Sequence, residues 1–264
     1  MPRFTFRFGE FESDERLPPL ASLDEVAERD GIFGPTGDQR GAYDHFMGND
    51  FLYVDFVKEV SEEVTQIEEG SFKATEIPHA RRMQFLLFEN GTYAFESRRG
   101  VYDSDVFEYL LEDYDFQYSL SRYESLGLDA MRRFYKGSDR VKKLKADEIG
   151  QHEPNPHVTD EEIRELTEDF GQHSRSIIAS VGRTKENLRN AKFIKDGVAK
   201  YSGLSMIKSV TPEGEIRKLR DSGRFDFGVD ADKDEDEQAQ SVRDTVSNVI
   251  RNVFDGASVD DDDD

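Results

Sequence analysis

The sequence predicts an α+β fold: an N-terminal antiparallel β-sheet with one packed helix, then C-terminal helices and a small three-stranded meander. Three observations carry that expectation. Apolar and polar residues alternate with period two in the first half, as at Phe4, Phe6 and Phe8, the pattern of a half-buried strand. Met83 to Ser97 reads as a hairpin around Asn90-Gly91, a pair that supplies the positive φ angles of a tight turn. After Thr159 the apolar period becomes helical, and from Leu204 it returns to short strand-sized runs.

Residues 17–50 hold two Pro-containing stretches and many Gly and Asp, and read as loop around a short helix near 22–29. Residues 51–68 alternate again, with Val57, Val60, Val64 and Ile67 marking one or two strands and Glu69-Gly70 a turn. Residues 83–88 are apolar on both faces, so that strand is central. Asp103 is placed to cap a helix over 104–113, in which Val106, Phe107, Leu110, Leu111 and Tyr114 form one apolar stripe. Residues 116–123 alternate as a further strand, 128–136 read as a short helix and 139–149 as a strand.

The stretch 151–158, beginning QHEPNPH, has the composition of a linker. It divides the chain into a mostly-β domain over 1–150 and an α+β domain over 159–255. The second domain opens on Thr159-Asp160-Glu161-Glu162, a capping box. Ile163, Leu166, Phe170, Ile177 and Val181 continue its helical stripe to about 181, and His173 lies on that stripe as a core-edge histidine. Thr184 is placed to cap a second helix, with Leu188, Ala191, Ile194, Val198 and Tyr201 inward. The meander follows over 204–210, 215–220 and 224–229, and a closing helix spans 236–254 with Val242, Val246, Val249, Ile250 and Val253 apolar. Residues 256–264 end in an acidic run, expected to be disordered.

Composition bounds the setting. The 264 residues carry 57 acids against 35 bases, a formal charge of -22, with no Cys. Self-repulsion of that size strains a protein at low ionic strength. In molar salt the Debye length falls to about 3 Å and the repulsion vanishes. The acid excess, 22 Arg to only 13 Lys, and the lack of Cys together resemble the proteome of an extreme halophile, and an archaeal source is expected. Disulfides, thiolate chemistry and Cys-ligated zinc are excluded. The 20 Phe and 10 Tyr argue against wholesale disorder. The start lacks the apolar core of a signal peptide, and no window approaches about 18 apolar residues. A soluble cytoplasmic protein, without a membrane partner, is expected.

The charge is unevenly laid out. Residues 1–127 are net -15 and residues 225–264 net -11, whereas 128–224 are net +4. Within that central region Arg132, Arg133, Lys136, Arg140, Lys142, Lys143 and Lys145 form one basic cluster. Lys185, Arg189 and Lys192 recur at helical spacing and form a second. Arg217, Lys218, Arg220 and Arg224 form a third. Clusters that face one way make a phosphate-reading surface; clusters that face apart solvate their own elements or pair with nearby acids. Phe134 and Tyr135, inside the first cluster, are candidates for stacking on bases or for a small core. Arg81, Arg82, Arg98 and Arg99 flank the ends of the hairpin strands and are brought together by antiparallel pairing. They form a candidate anion site, with pairing to the abundant acids as the alternative.

No motif identifies a reaction, and no catalytic residue, metal ligand or cofactor is expected. His152, Glu153, Asn155 and His157 are metal-binding types, but their spacing matches no zinc or nuclease pattern. Gly31, Gly34 and Gly37 lack the GK[ST] of a phosphate loop and read as a flexible loop. Glu215-Ile216-Arg217 is only a weak echo of a nuclease strand. The sequence therefore predicts a binding protein that engages nucleic acid or another polyanion through its central basic region, accessory to replication, regulation or mobile-element function. The alternative is a protein–protein assembly factor with no nucleic-acid role. A metal-dependent nuclease fits less well.

Overall fold

The computed structural model describes residues 2–29, 39–68, 71–147, 176–181, 187–190 and 203–255. It is of mixed α and β structure, and its strand pairs of defined register are antiparallel. The chain divides into two compact units: Phe6–Arg122, and Met1–Thr5 together with Tyr123–Asp264. Among the described residues no helix is long and apolar enough to cross a membrane.

The unit Phe6–Arg122 is built on β1 (Arg3–Ser13, from Phe6 onward), β2 (Arg40–Met47), β3 (Phe51–Glu68), β4 (Ser71–Phe88), β5 (Thr92–Glu96) and β6 (Tyr118–Arg122). The strand order is β2-β3-β4-β5-β1, and β6 pairs with β1. The β4–β5 turn follows from its residues: Gly91 takes φ +86°, and the Asn90 side-chain oxygen accepts the Thr92 N–H at 2.9 Å. Residues 51–68 form one strand, paired along its whole length with β4.

Two helices, rather than the one expected, pack on this sheet: α1 (Leu20–Ala27) and α2 (Asp103–Leu110). Leu23 and Val26 of α1 and Val106, Phe107 and Leu110 of α2 share one core with Val54, Phe56, Phe85, Tyr93 and Phe95. The segment read as loop thus supplies a core helix, because Leu20, Leu23, Val26 and Ala27 fall on one face despite the prolines before them. It also supplies an edge strand, β2, whose Gly41, Asp44 and His45 mask the alternation.

Asp103 is the first residue of α2 rather than its cap; the Asp105 carboxylate accepts the Tyr102 N–H at 2.7 Å in that role. The Asp103 carboxylate instead anchors the core. The Tyr93 hydroxyl donates to it at 2.9 Å and Arg122 Nε at 2.9 Å, with a second guanidinium nitrogen alongside. Burial acts to raise the Asp103 pKa, but Arg122 and Tyr93 outweigh it and hold the carboxyl below its usual range. Its stabilisation is therefore complete above the unfolded value of about 3.9 and is lost as pH falls through the lower folded value. Asp103→Asn is expected to cost about 2 kcal/mol at neutral pH and to flatten the loss of stability on acidification, both read from urea melts at neutral pH and near pH 3.

The second unit contains β7 (Arg140–Asp147), β8 (Ser176–Ser180), β9 (Gly203–Val210), β10 (Ile216–Arg220) and β11 (Arg224–Gly228). Their order is β8-β7-β9-β10-β11. The start of the chain lies against β11: the Val229 N–H donates to Pro2 O at 3.2 Å, and the Phe4 and Phe227 rings stack at 5.6 Å. Successive pairing of β9, β10 and β11 does not close a small separate sheet, because β7 and β8 continue it beyond β9.

The helices of this unit are α3 (Gly127–Gly137) and α4 (Glu235–Ile250), the latter running into a π-helical turn over Arg251–Asp255. A capping box starts α4, with Asp234 accepting the Glu237 N–H at 2.9 Å. Phe134 of α3 meets Phe225 edge to face at 6.2 Å, so α3 covers the face of the sheet that carries Phe225 and Phe227.

Three expectations are corrected here. Residues 176–180 form a strand, not the end of a helix: Ile177 and Ile178 suit a pleat, and the free edge of β7 gives all five residues a partner. Residues 188–190 form a single 3₁₀ turn. The segments 127–137 and 140–147, grouped by composition with the first half, belong to the second unit. The expected linker at 151–158, the rest of the helices expected over 159–181 and 184–200, the loop at Gly31–Gly37 and the acidic tail lie outside the described residues.

Candidate nucleic-acid interface

In this sheet, residues at alternate positions point to opposite faces. Val141, Leu144, Ile207, Leu219 and Phe225 are fully buried, and their face is the one that α3 covers. The opposite face is cationic. The strand register sets Lys143 of β7 opposite Lys208 of β9, Lys208 opposite Lys218 of β10, and Lys218 opposite Asp226 of β11. One residue pair along, Lys145 lies opposite Met206 and Met206 opposite Arg220, while the same register brings Arg224 across from Arg220. Arg140, opposite Val210, extends the face at its other side. A β-bulge at Lys142 puts Arg140 and Lys143 on the same face although they are three residues apart.

Like charges directly opposite one another destabilise a sheet, and here three lysines stand in one cross-strand row. Lys218 records the effect. Burial lowers its pKa most, and Arg220, Arg224 and Lys143 lower it further, with Asp226 alone opposing them. Asp226 is the one carboxylate in this row. It accepts the Thr5 hydroxyl at 2.8 Å and Arg224 Nε at 2.9 Å, with Arg220 Nε at 3.9 Å.

The structure thus unites parts of two of the three expected clusters, Arg140, Lys143 and Lys145 with Lys218, Arg220 and Arg224. It adds Lys208, which the sequence shows only as a lone lysine in an apolar run. It diverts others. Arg133 donates through Nε and a terminal nitrogen to the Val253 carbonyl, at 3.1 and 2.6 Å. Arg132 lies 3.7 Å from Asp129 on its own helix, and Lys136 is exposed at the end of α3. Arg217 shares the opposite face with Phe227 and Ser209 and sits 3.5 Å from Glu215. Arg189 donates to the Ser138 carbonyl at 2.8 Å and lies over the Tyr135 ring. It is thereby a brace between the 3₁₀ turn and the end of α3, and no helical stripe through it is formed. Lys185 and Lys192 lie outside the described residues. Phe134 and Tyr135 are buried, so they serve the core and not base stacking.

The four hairpin arginines face the chain's own carboxylates. Arg82 grips the buried Asp55 with two nitrogens and lies 3.9 Å over the Tyr43 ring. Arg98 pairs with the buried Glu96 at 2.6 Å, and Arg81 reaches Glu62 at 3.3 Å and His79 at 3.1 Å. Arg99 is exposed. Burial pushes the Glu96 carboxyl above its usual range, and Arg98 offsets this only in part. A carboxyl with a raised folded pKa costs stability once ionised, and that cost sets in as pH rises through the unfolded value of about 4.3. Glu96→Gln is therefore expected to raise the urea midpoint at neutral pH and to leave it little changed below pH 4; no gain at neutral pH would contradict this account of Glu96.

Among the described residues no three side chains of His, Asp or Glu gather as a metal site. His152 and His157 lie outside them. No family model matches the chain, and no curated protein sequence is similar to it.

Proposed function

We propose that the chain is a non-enzymatic binding protein that engages nucleic acid through the cationic face of its β7-β9-β10-β11 sheet. The single observation that carries this reading is the row Lys143–Lys208–Lys218, set side by side by strand register in a chain of net charge -22. Repulsion within such a row costs stability in the free protein. A bound polyanion removes that cost, so the arrangement favours a ligand that brings several negative charges at once.

The composition supports a halophilic, cytoplasmic setting. In molar salt, counterion release contributes little affinity. Affinity must then come from direct hydrogen bonds, and guanidinium groups such as Arg220 and Arg224 make them in bidentate fashion. Such a binder would serve as an accessory factor in replication, regulation or mobile-element function. The test is a fluorescence-anisotropy titration of the full chain against labelled duplex and single-stranded DNA and RNA, in KCl from about 0.1 M to about 3 M. Saturable binding that weakens as salt rises supports the reading. No binding at any salt concentration overturns it.

A further inference from the structure

Resting on that reading, we infer that the face recognises the phosphodiester backbone alone, so that its ligand class is nucleic acid bound without regard to base identity or to the presence of bases. Two properties of the face carry this. The first is its chemistry. Between its cations lie Met206, Val210, Ile216 and Asp226, and among its described residues there is no aromatic ring. Stacking on aromatic side chains is how proteins hold unpaired bases. The rings of this unit are engaged elsewhere: Phe225 and Phe227 stack in the core, Phe134 packs on Phe225, and Tyr123 stacks on Phe254 at 4.9 Å.

The second property is shape. Base edges in a duplex are read from within the major groove, about 12 Å wide, which admits a helix or a two-stranded ribbon. Here the cations stand on four adjacent strands, β7, β9, β10 and β11. At about 4.8 Å per strand, the outer axes are about 14 Å apart, too broad to enter the groove. A surface of this kind rests on the phosphates from outside. Lysine supplies point charges there, and arginine supplies forked donors. Both meet phosphate oxygens, which are the same on every nucleotide.

The experiment compares four probes of equal length at one salt concentration: two duplexes of unrelated sequence, a mixed-sequence single strand, and an abasic deoxyribose-phosphate strand. The expected result is that the two duplexes bind within about threefold of each other and that the abasic strand binds within about threefold of the base-bearing strand, as backbone contacts carry no sequence information. Lys143→Glu, Lys208→Glu and Lys218→Glu in one chain should weaken all four by a common factor. A loss of tenfold or more on removing the bases, or tenfold discrimination between the duplexes, would overturn the inference while leaving nucleic-acid binding itself intact. Failure of all four probes to bind would instead overturn the binding function, and this inference with it.

Discussion

Gly9→Ala is expected to destabilise the protein by about 3 kcal/mol or more, lowering the thermal midpoint by roughly 10 °C for a chain of this size. Gly9 lies opposite Tyr93 on one side and Arg122 on the other. A Cβ at this position would sit 2.3 Å from the Tyr93 ring, 2.4 Å from its hydroxyl oxygen and 2.9 Å from the Ser121 carbonyl. None of these can retreat cheaply. The Tyr93 hydroxyl is tied to Asp103. Its ring is held against Phe85, Phe95 and Phe107 at 5.1–6.1 Å. The Ser121 carbonyl belongs to the β1–β6 ladder. Glycine leaves the space in which the ring crosses the strand and reaches the buried carboxylate. Thermal unfolding of wild type and variant in the same buffer checks this. A midpoint unchanged within about 1 °C would mean that the ring does not cross the strand at Gly9.

Replacing Lys143, Lys208 and Lys218 together by glutamate is expected to abolish nucleic-acid binding at moderate salt, a loss of 100-fold or more by the order of magnitude for charge-assisted contacts, at about 1.5 kcal/mol or more each. The change reverses three charges in one row without touching the core, since the three side chains stand opposite the face that bears Ile207, Leu219 and Phe225. It also relieves the like-charge contacts, so the fold should be retained. Two controls locate the effect. Arg133→Glu and Arg189→Glu alter cations of the same basic region, but those guanidinium groups hold backbone carbonyls. They are expected to lower stability more than affinity. Equal loss of binding from all three variants would show that general charge, and not the row, governs affinity.

Much of the fold was legible because local chemistry decides it. Asn90-Gly91 specifies its turn, the alternation of 51–68 marks a long strand, and the apolar stripe of Val242, Val246 and Val249 marks α4. Elements decided by partners were not. Ile177 and Val181 fit a helical stripe in one dimension, and only the free edge of β7 makes a strand of 176–180. α1 and β2 hide in a run of Gly, Pro and Asp because burial against the sheet, not intrinsic preference, stabilises them.

The site was legible as a region but not as a surface. Proximity along the chain groups Arg217 with Lys218, yet the pleat turns them to opposite faces. Lys208, alone in an apolar run, becomes the middle of the row because three strands place it there. Arg132, Arg133 and Arg189 look like surface cations, but Asp129 and the helix-terminal carbonyls take them.

The most direct test of the lysine row as a phosphate-binding surface is the salt dependence of duplex binding, measured for wild type and for the triple glutamate variant. Each phosphate contact contributes about 0.9 to the slope of log K against log salt. The wild type is expected to show a slope at least about 3 units steeper than any residual slope of the variant. Equal slopes for the two proteins, or a wild type whose affinity does not respond to salt, would contradict the account.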